Sequence, residues 1–277
     1  YKHYTNTLRV RISGCGVLWS GPELLGPAWT GVAQLHVLDW NSDGRDDLLV
    51  QGATAWQLVL SNGDSLAPIA NTSVAHNSAT TSIPYDADGD GLKDLVTRAS
   101  GTFRLRLRNG PKADLLLRGT DGFGVTATFT YRPLTDPAVY TRGTGAIYPD
   151  QDMQTPAHVV SELGITDGTG LGSMTTTRYA YRGLRRHLLG RGILGFAART
   201  SVDTTLAYDT RTEETWRQDF PYTGLPVSAV VRQKSGAPLG EISYAWSTLN
   251  LGSGAAQRRF PYPSSVTQRR YGAGGIH

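Results

Sequence analysis

The protein is a chain of 277 residues, of which 39% are hydrophobic and 18% are charged. This composition is typical of a folded globular protein and excludes an extended disordered chain. The length is sufficient for one large or two ordinary domains, each with its own hydrophobic core. The 33 glycines and the Val, Thr, Tyr and Trp residues between them indicate short β-strands separated by turns.

A single cysteine, Cys15, excludes an internal disulfide and the cysteine-rich zinc sites. No stretch approaches the roughly 18 apolar residues that a membrane-spanning helix requires, and no signal peptide is visible. The net charge of +4 includes a loose group of arginines, but no known nucleic-acid-binding module accompanies them, so a solvated face is the favoured interpretation. We therefore expect no membrane span and no nucleic-acid partner.

An internal repeat with an offset of 47 residues occupies the first part of the chain. It aligns residues 38–49 with 85–96, and then residues 56–63 with 103–110. Applied backwards, the same offset aligns residues 8–16 with the closing segment of the repeat. We therefore expect the chain to begin inside an earlier copy, as a piece of a longer polypeptide.

Each copy reads as short strands around an acidic loop, predicted in the first copy at residues 35–38, 48–50 and 56–60. A period of about 40–50 residues with about four strands per copy is typical of a β-propeller blade. Two copies and a remnant do not close a propeller. Residues 1–112 are therefore predicted to be part of one, with the other blades upstream.

Both acidic loops have the form D-x-[D/N]-x-D-G-x-x-D, which suits calcium because this ion takes six to eight oxygen ligands, several from carboxylates. The predicted ligands are Asp39, Asn41, Asp43, Asp47 and the Arg45 carbonyl in the first loop, and Asp86, Asp88, Asp90, Asp94 and the Leu92 carbonyl in the second. An EF-hand is excluded because its glutamate and flanking helices are missing. The alternative is a pair of Asx-Gly turns without metal, but two loops in register favour Ca²⁺.

The second half, residues 113–277, is predicted to be β-structure throughout. Apolar and polar residues alternate over residues 125–131, which is the period of a half-buried strand. Further strands are predicted at residues 175–181, 200–208, 227–231 and 242–246. No stretch has a convincing helical period.

The two acidic loops resemble FG-GAP/VCBS repeats, the calcium-loop blades of integrin-like propellers and of many secreted bacterial proteins. The second half resembles the segment that follows the propeller in the B component of insecticidal toxin complexes, in Salmonella-type virulence-plasmid B proteins and in related RHS-repeat proteins. The motifs that carry this resemblance are DLLL at 114–117, GFGVTATFTYRPLT at 122–135, HVV at 158–160, TRYAYRG at 177–183 and GRGILGF at 190–196.

The resemblance implies an all-β architecture, with partial propeller blades followed by an RHS-like antiparallel β-sheet that begins a hollow shell. It also implies a structural segment of a secreted toxin or virulence protein, in which the shell encloses a C-terminal toxic cargo. The expected partners are other toxin-complex subunits or the remainder of the same polypeptide. The alternative is a calcium-dependent surface adhesin or carbohydrate-binding propeller, since similar repeats occur there.

No catalytic constellation is visible in the sequence. The six histidines are scattered, a Gly-x-Ser-x-Gly nucleophile elbow is absent, and the glycine-rich segment 168–172 lacks the helix and lysine of a phosphate-binding loop. Ser161 lies near His158 and Asp167 in the sequence, but a triad is defined by geometry. We therefore expect the chain not to be an enzyme.

Overall fold

In the computed structural model the chain divides into two compact units, Tyr1–Leu115 and Leu116–His277. The structure describes residues 7–11, 23–28, 34–52, 54–75, 81–110, 112, 114–169, 172–205, 210–254, 257–272 and 275–276. These residues form 23 β-strands and no α-helix, so the predicted all-β class is confirmed. Among them there is also no helix with the length and hydropathy to cross a bilayer.

The described residues of the first unit form three small antiparallel sheets. Their strands are β1 (Thr7–Arg11), β2 (Glu23–Ala28), β3 (Leu35–Leu38), β4 (Asp47–Gln51), β5 (Ala55–Val59), β6 (Ala70–Ala75), β7 (Thr81–Tyr85), β8 (Asp94–Ala99) and β9 (Thr102–Arg106). β1 pairs with β2, β3 to β6 form a four-stranded sheet in chain order, and β7 to β9 form a three-stranded sheet. Residues 12–16 of the predicted earlier copy lie outside the described part of the chain.

The two copies of the repeat have equivalent strands. β3, β4 and β5 correspond to β7, β8 and β9 at the 47-residue offset, and the strands predicted in the first copy agree with the observed ones to within one residue. The pairing register also repeats, because Leu38 faces Asp47 in the first copy and Tyr85 faces Asp94 in the second. The sequence repeat is therefore a structural repeat.

The first copy buries both faces of its sheet, because alternate residues of a strand point to opposite sides. One face holds Leu48, Val50 and Val59, against which Leu35, Leu66 and Ile69 pack. The opposite face holds Leu38, Leu49 and Trp56, which form a cluster with Leu95 and with the half-buried Trp40 and Val74. Since Leu95 belongs to β8, this second cluster joins the two copies.

The second unit is built on one large sheet. Its strands are β10 (Arg118–Thr120), β11 (Thr126–Pro133), β12 (Tyr140–Thr141), β13 (Asp150–Asp152), β14 (His158–Thr166), β15 (Met174–Arg182), β16 (Arg185–His187), β17 (Gly192–Gly195), β18 (Ala198–Asp203), β19 (Arg211–Trp216), β20 (Pro226–Arg232), β21 (Pro238–Leu251), β22 (Arg258–Gly272) and β23 (Gly275–Ile276). The large sheet has the order β10-β11-β14-β15-β18-β19-β20-β21-β22-β23, and β12 adds to β15 in parallel. β13, β16 and β17 form a separate three-stranded sheet.

A hydrophobic cluster in the second unit packs together several of the segments that connect its strands. Leu134, Tyr140 and Leu184 are buried there and pack against half-buried neighbours that include Phe196. The Tyr140 hydroxyl donates to the Met153 carbonyl at 2.6 Å and accepts the Leu184 amide at 3.1 Å. Burial raises the pKa of Tyr140, so the hydroxyl is kept as a neutral donor that ties three connections together.

Most strands predicted in the second half are observed with slightly different ends, and one needs a correction. The strand predicted at residues 200–208 ends at Asp203. There the Asp203 carboxylate accepts the Thr205 amide at 2.9 Å, and this Asx turn ends the ladder. Residues 206–209 lie outside the described part of the chain. The segment predicted at 242–246 is the middle of the much longer β21, which pairs with β22.

Candidate metal centre

The two acidic loops connect equivalent strands of the repeat. The first acidic loop, residues 39–47, joins β3 to β4, and the second acidic loop, residues 86–94, joins β7 to β8. The last aspartate of each loop is the first residue of the outgoing strand, and both Asp47 and Asp94 are 0% exposed. Each loop is therefore anchored in the core at one end and open to solvent in its middle.

Asp94 anchors the second acidic loop through both of its carboxylate oxygens. Oδ2 accepts the amide of Ala87 at 2.8 Å, and Oδ1 accepts the amide of Arg108 at 2.8 Å. These two backbone amides satisfy the hydrogen-bonding capacity of the buried carboxylate inside the protein. Because each oxygen has a second lone pair, the carboxylate can accept these bonds and still bind a cation.

Asp47 anchors the first acidic loop in the same way. Its Oδ2 accepts the amide of Trp40 at 2.9 Å, and its Oδ1 accepts the amide of Ser61 at 2.8 Å. Trp40 and Ser61 occupy the positions that precede Ala87 and Arg108 by 47 residues. Asp47 and Asp94 are therefore held by equivalent pairs of backbone amides.

The first aspartate of each loop closes the turn. Asp39 Oδ2 accepts the Gly44 amide at 3.0 Å, and Asp86 Oδ2 accepts the Gly91 amide at 3.1 Å. Both glycines have positive φ angles, 82° and 87°, which other residues adopt only with strain. The glycine in the D-x-[D/N]-x-D-G pattern is therefore required by the backbone that brings the amide to the carboxylate.

The alternating side chains form equivalent hydrogen bonds in the two loops. The equivalent contacts are Asp43 N to Asn41 Oδ1 and Asp90 N to Asp88 Oδ1, both 3.1 Å, and Arg45 N to Asp43 Oδ1 at 2.9 Å and Leu92 N to Asp90 Oδ1 at 2.7 Å. Each of these bonds spans two residues, so the local spacing of the sequence is sufficient to form them.

The second acidic loop brings carboxylates together. One carboxylate oxygen from each of Asp86, Asp88 and Asp94 lies within 4.8 Å of the others. Burial raises the pKa of Asp90, the amide of Leu92 lowers it, and the three neighbouring carboxylates raise it further. The net direction is upward, because burial and the neighbouring carboxylates outweigh the hydrogen bond from the Leu92 amide.

The first acidic loop differs because its central carboxylate has partners within the loop. Asp43 Oδ2 accepts the Asn41 amide group at 3.0 Å and forms an ion pair with Arg45 at 3.2 Å. The Asn41 side-chain hydrogen bond, followed by the Arg45 amide, lowers the pKa of Asp43. The central carboxylate of the first loop is therefore partnered within the loop itself.

The two residues predicted to offer carbonyl ligands have different environments. Arg45 is exposed, and its side chain reaches back to Asp43. Leu92 is only 2% exposed, so its side chain pins the second acidic loop to the hydrophobic interior. This anchoring role of Leu92 was not predicted from the sequence, where the residue was considered only for its carbonyl.

Arg108, which was not predicted from the sequence, contacts both acidic loops. Its Nη1 donates to the Trp40 carbonyl, and its Cζ lies 4.9 Å from the centre of the Trp40 ring. The position was visible in the repeat, because Arg108 aligns with Ser61 in the segment that matches residues 56–63 to 103–110. The exchange of a serine for an arginine next to an acidic loop was the available signal.

In the second unit, a groove of about 410 Å³ lies on the large sheet. Its charged lining residues are bonded within the protein, since Arg178 pairs with Glu162 at 2.9 Å and Arg132 pairs with Asp136 at 2.7 Å. The Arg132 hydrogen bond lowers the pKa of Asp136. These matched charges make the groove a poor candidate for a charged ligand.

The hydroxyl and carboxylate considered for a triad have other partners in the structure. Ser161 Oγ donates to the Thr130 carbonyl at 3.1 Å. Asp167 Oδ1 accepts both the amide and the hydroxyl of Thr169, at 2.9 and 2.8 Å. Ser161 therefore bonds to the neighbouring strand, and Asp167 stabilises its own turn.

Comparison with known proteins shows the family of the chain. Residues 65–224 match the model of the family described as "Insecticide toxin TcdB middle/N-terminal region". No curated protein sequence matches the chain.

Solved structures share the fold. A crystal structure of TcdB2-TccC3-Cdc42 aligns with a TM-score of 0.68 at 12% identity, covering 86% of this chain and 15% of that chain. A structure of the Photorhabdus luminescens Tc holotoxin pore, with a mutation in TccC3, aligns with a TM-score of 0.71 at 13% identity, covering 91% of this chain and 15% of that chain. The chain thus spans about 15% of the length of these structures. Because the family match covers more than half of the chain, the protein belongs to the insecticide toxin TcdB middle/N-terminal region family.

Proposed function

We propose that this chain is a non-enzymatic structural segment of a secreted insecticidal toxin complex. Residues 1–112 are calcium-binding propeller blades of the FG-GAP/VCBS type, and residues 113–277 begin an RHS-type shell that encloses a toxic cargo. The family match over residues 65–224 carries this proposal. The fold shared with TcdB2-TccC3 and with a Tc holotoxin supports it, and other toxin-complex subunits are the partners it implies.

The large sheet supports the proposal of a shell. Its main path runs through ten strands in antiparallel order, and β21 and β22 are 14 and 15 residues long. A strand rises about 3.3 Å per residue, so these two strands extend roughly 45–50 Å. A broad sheet of long strands is suited to form a wall.

The shell function predicts that the cargo is protected from protease. The full-length polypeptide, assembled with its partner subunit and cargo, is treated with a broad-specificity protease before and after denaturation. We expect the cargo to survive in the native assembly and to be digested after unfolding. Rapid digestion of the cargo in the native assembly contradicts the proposal.

The donor set of the second acidic loop fits calcium. Ca²⁺ binds oxygen at about 2.3–2.6 Å, so ligand oxygens around one ion lie up to roughly 5 Å apart. The oxygens of Asp86, Asp88 and Asp94 lie within 4.8 Å of one another. Carboxylates without nitrogen or sulfur ligands suit a hard cation such as calcium rather than zinc. When bound, the ion supplies positive charge that offsets the repulsion among these carboxylates.

Calcium binding is tested by thermal unfolding in calcium and in chelator. If the ion binds only the folded state, a concentration of about 100 times Kd adds roughly 2.7 kcal/mol per independent site. We expect the larger share of this effect from the second acidic loop, because Asp43 of the first loop already has an internal cation in Arg45. Equal melting temperatures in the two conditions reject the metal assignment.

The packing between the two copies of the repeat supports the proposal that they are adjacent blades, each packed against the next. His36 in β3 contacts Ser82 in β7 at 2.9 Å, and Leu95 of β8 packs on the Trp56 face of the first copy. The corresponding face of the second copy is exposed, with Phe103 69% accessible. A repeat that buries one face against its neighbour leaves the same face of its last copy uncovered. We propose that another blade covers this face.

A further inference from the structure

Arg108 contacts the anchor of the second acidic loop and also Trp40, which is hydrogen-bonded to the anchor of the first. Its amide donates to Asp94 Oδ1 at 2.8 Å, and its guanidinium binds the carbonyl and the ring of Trp40. The amide of Trp40 in turn donates to Asp47 Oδ2 at 2.9 Å. One residue therefore connects the buried carboxylate of one loop with that of the other, across 68 residues of sequence between Trp40 and Arg108.

The guanidinium is half-buried among carboxylates of both loops. Asp90, Asp39, Asp47 and Asp94 interact with it electrostatically. Burial lowers the pKa of Arg108, and these four carboxylates oppose that shift. An arginine stays protonated at any ordinary pH, so the two loops have a fixed positive charge beside them whether or not a metal is bound.

The first copy shows that the backbone amide and the charged side chain at the position of Arg108 have separate roles. Ser61, the equivalent of Arg108, donates its amide to Asp47 Oδ1 at 2.8 Å and so closes its loop without a cation. Loop closure therefore requires only the backbone at this position. The guanidinium is present only in the second copy, because its equivalent in the first copy, Ser61, has no charge. Its positive charge can act as a counter-ion to the carboxylates of the loops.

We propose that the Arg108 guanidinium is an internal counter-cation shared by the two acidic loops, which stabilises them without metal and limits their affinity for calcium. This inference rests on the proposed calcium binding. A fixed unit charge close to a divalent ion at a solvent-exposed protein surface changes the affinity roughly tenfold. The same charge reduces the repulsion among the carboxylates when no calcium is present.

The test replaces the charge and measures two quantities with opposite expected signs. In Arg108→Gln of the full chain, we expect a lower melting temperature in chelator and a calcium Kd that is roughly tenfold smaller by calorimetry. A merely structural role predicts weaker calcium binding, because a distorted loop loses affinity. Arg106→Gln is the matched control: Arg106 is the exposed last residue of β9, and its replacement leaves both quantities unchanged.

Arg108→Lys keeps the charge and loses the planar fork, so its calcium affinity stays near that of the wild type. If Arg108→Gln does not fold, Arg108→Lys is compared with the wild type instead. A roughly tenfold tighter calcium affinity in the lysine variant contradicts the inference, because the charge is retained there and cannot be the cause. Unchanged or weaker affinity in Arg108→Gln overturns the inference while calcium binding by the wild type stands. A wild-type chain that binds no calcium overturns the proposed metal function and this inference with it.

Discussion

Replacement of Asp94 by alanine tests the construction of the second acidic loop independently of any metal. The side chain is 0% exposed, and its two oxygens accept the amides of Ala87 and Arg108, both at 2.8 Å. The alanine variant leaves these two amides without their acceptor. It also removes one of the three carboxylates that converge in the loop.

The expected loss follows from these contacts. A buried donor without a partner costs about 1–3 kcal/mol, so two donors cost about 2–6 kcal/mol. Removing one negative charge from the cluster offsets roughly 1 kcal/mol, the size of a pair interaction close to water. Water reaches the outer side of the loop and lowers the upper end of this range, so we expect a net decrease of about 1–4 kcal/mol in the free energy of unfolding of the first unit.

The assay is denaturant unfolding of the full chain in chelator, followed by tryptophan fluorescence. Asp47→Ala is a comparator with the same two hydrogen bonds, at 2.9 and 2.8 Å, and is expected to lose a similar amount. Asp46→Ala is the control, since Asp46 is an exposed neighbour and its loss stays within about 0.5 kcal/mol. If Asp94→Ala also unfolds within about 0.5 kcal/mol of the wild type, the carboxylate is not the anchor of the loop.

Three further predictions concern metal stoichiometry, the second unit and the exposed blade face. Asp90→Ala removes one bound calcium per chain and Asp43→Ala removes the other, and unchanged calorimetric stoichiometry in both variants identifies the loops as ordinary turns. Gly183 has φ of +68°, and a Cβ there would lie 2.9 Å from a neighbouring methyl group, so Gly183→Val costs the second unit about 2–5 kcal/mol in unfolding experiments. Gly119→Ala, where a Cβ meets nothing within 4 Å, is its control, and equal stability of the two variants refutes the packing. The chain alone associates through its exposed apolar face, and Phe103→Thr reduces the apparent mass in light scattering; a monodisperse wild-type monomer contradicts this.

The sequence by itself determined the features that depend on neighbouring residues. The 47-residue offset located equivalent strands to within one residue, because alternation of apolar residues has the same period as the strand. It also located both acidic loops, whose bonds from Asp43 to Asn41 and from Leu92 to Asp90 span two residues. Gly44 and Gly91 were part of the pattern because their positive φ angles are a local requirement of the turn.

Strand ends and strand order were less accessible to the sequence. β15 pairs with β18, while β16 and β17 leave the large sheet and form a separate sheet in which β16 pairs with both β13 and β17. The choice depends on contacts such as the ion pair between Asp152 and Arg185, 33 residues apart, at 3.2 Å. A periodic pattern identifies a strand, but the partner of the strand is set by which distant surfaces fit together.

Only the tertiary structure decided how the two copies meet and which side chains carry charge between them. Leu95 looks like any strand leucine in the sequence, yet it completes the core of the preceding copy. Arg108 looks like a surface arginine, yet it lies over Trp40 between two acidic loops. Such contacts have no local period, since burial and long-range electrostatics depend on the fold as a whole. The sequence therefore predicts where the acidic loops lie, whereas the arrangement of the copies determines the charge that surrounds them.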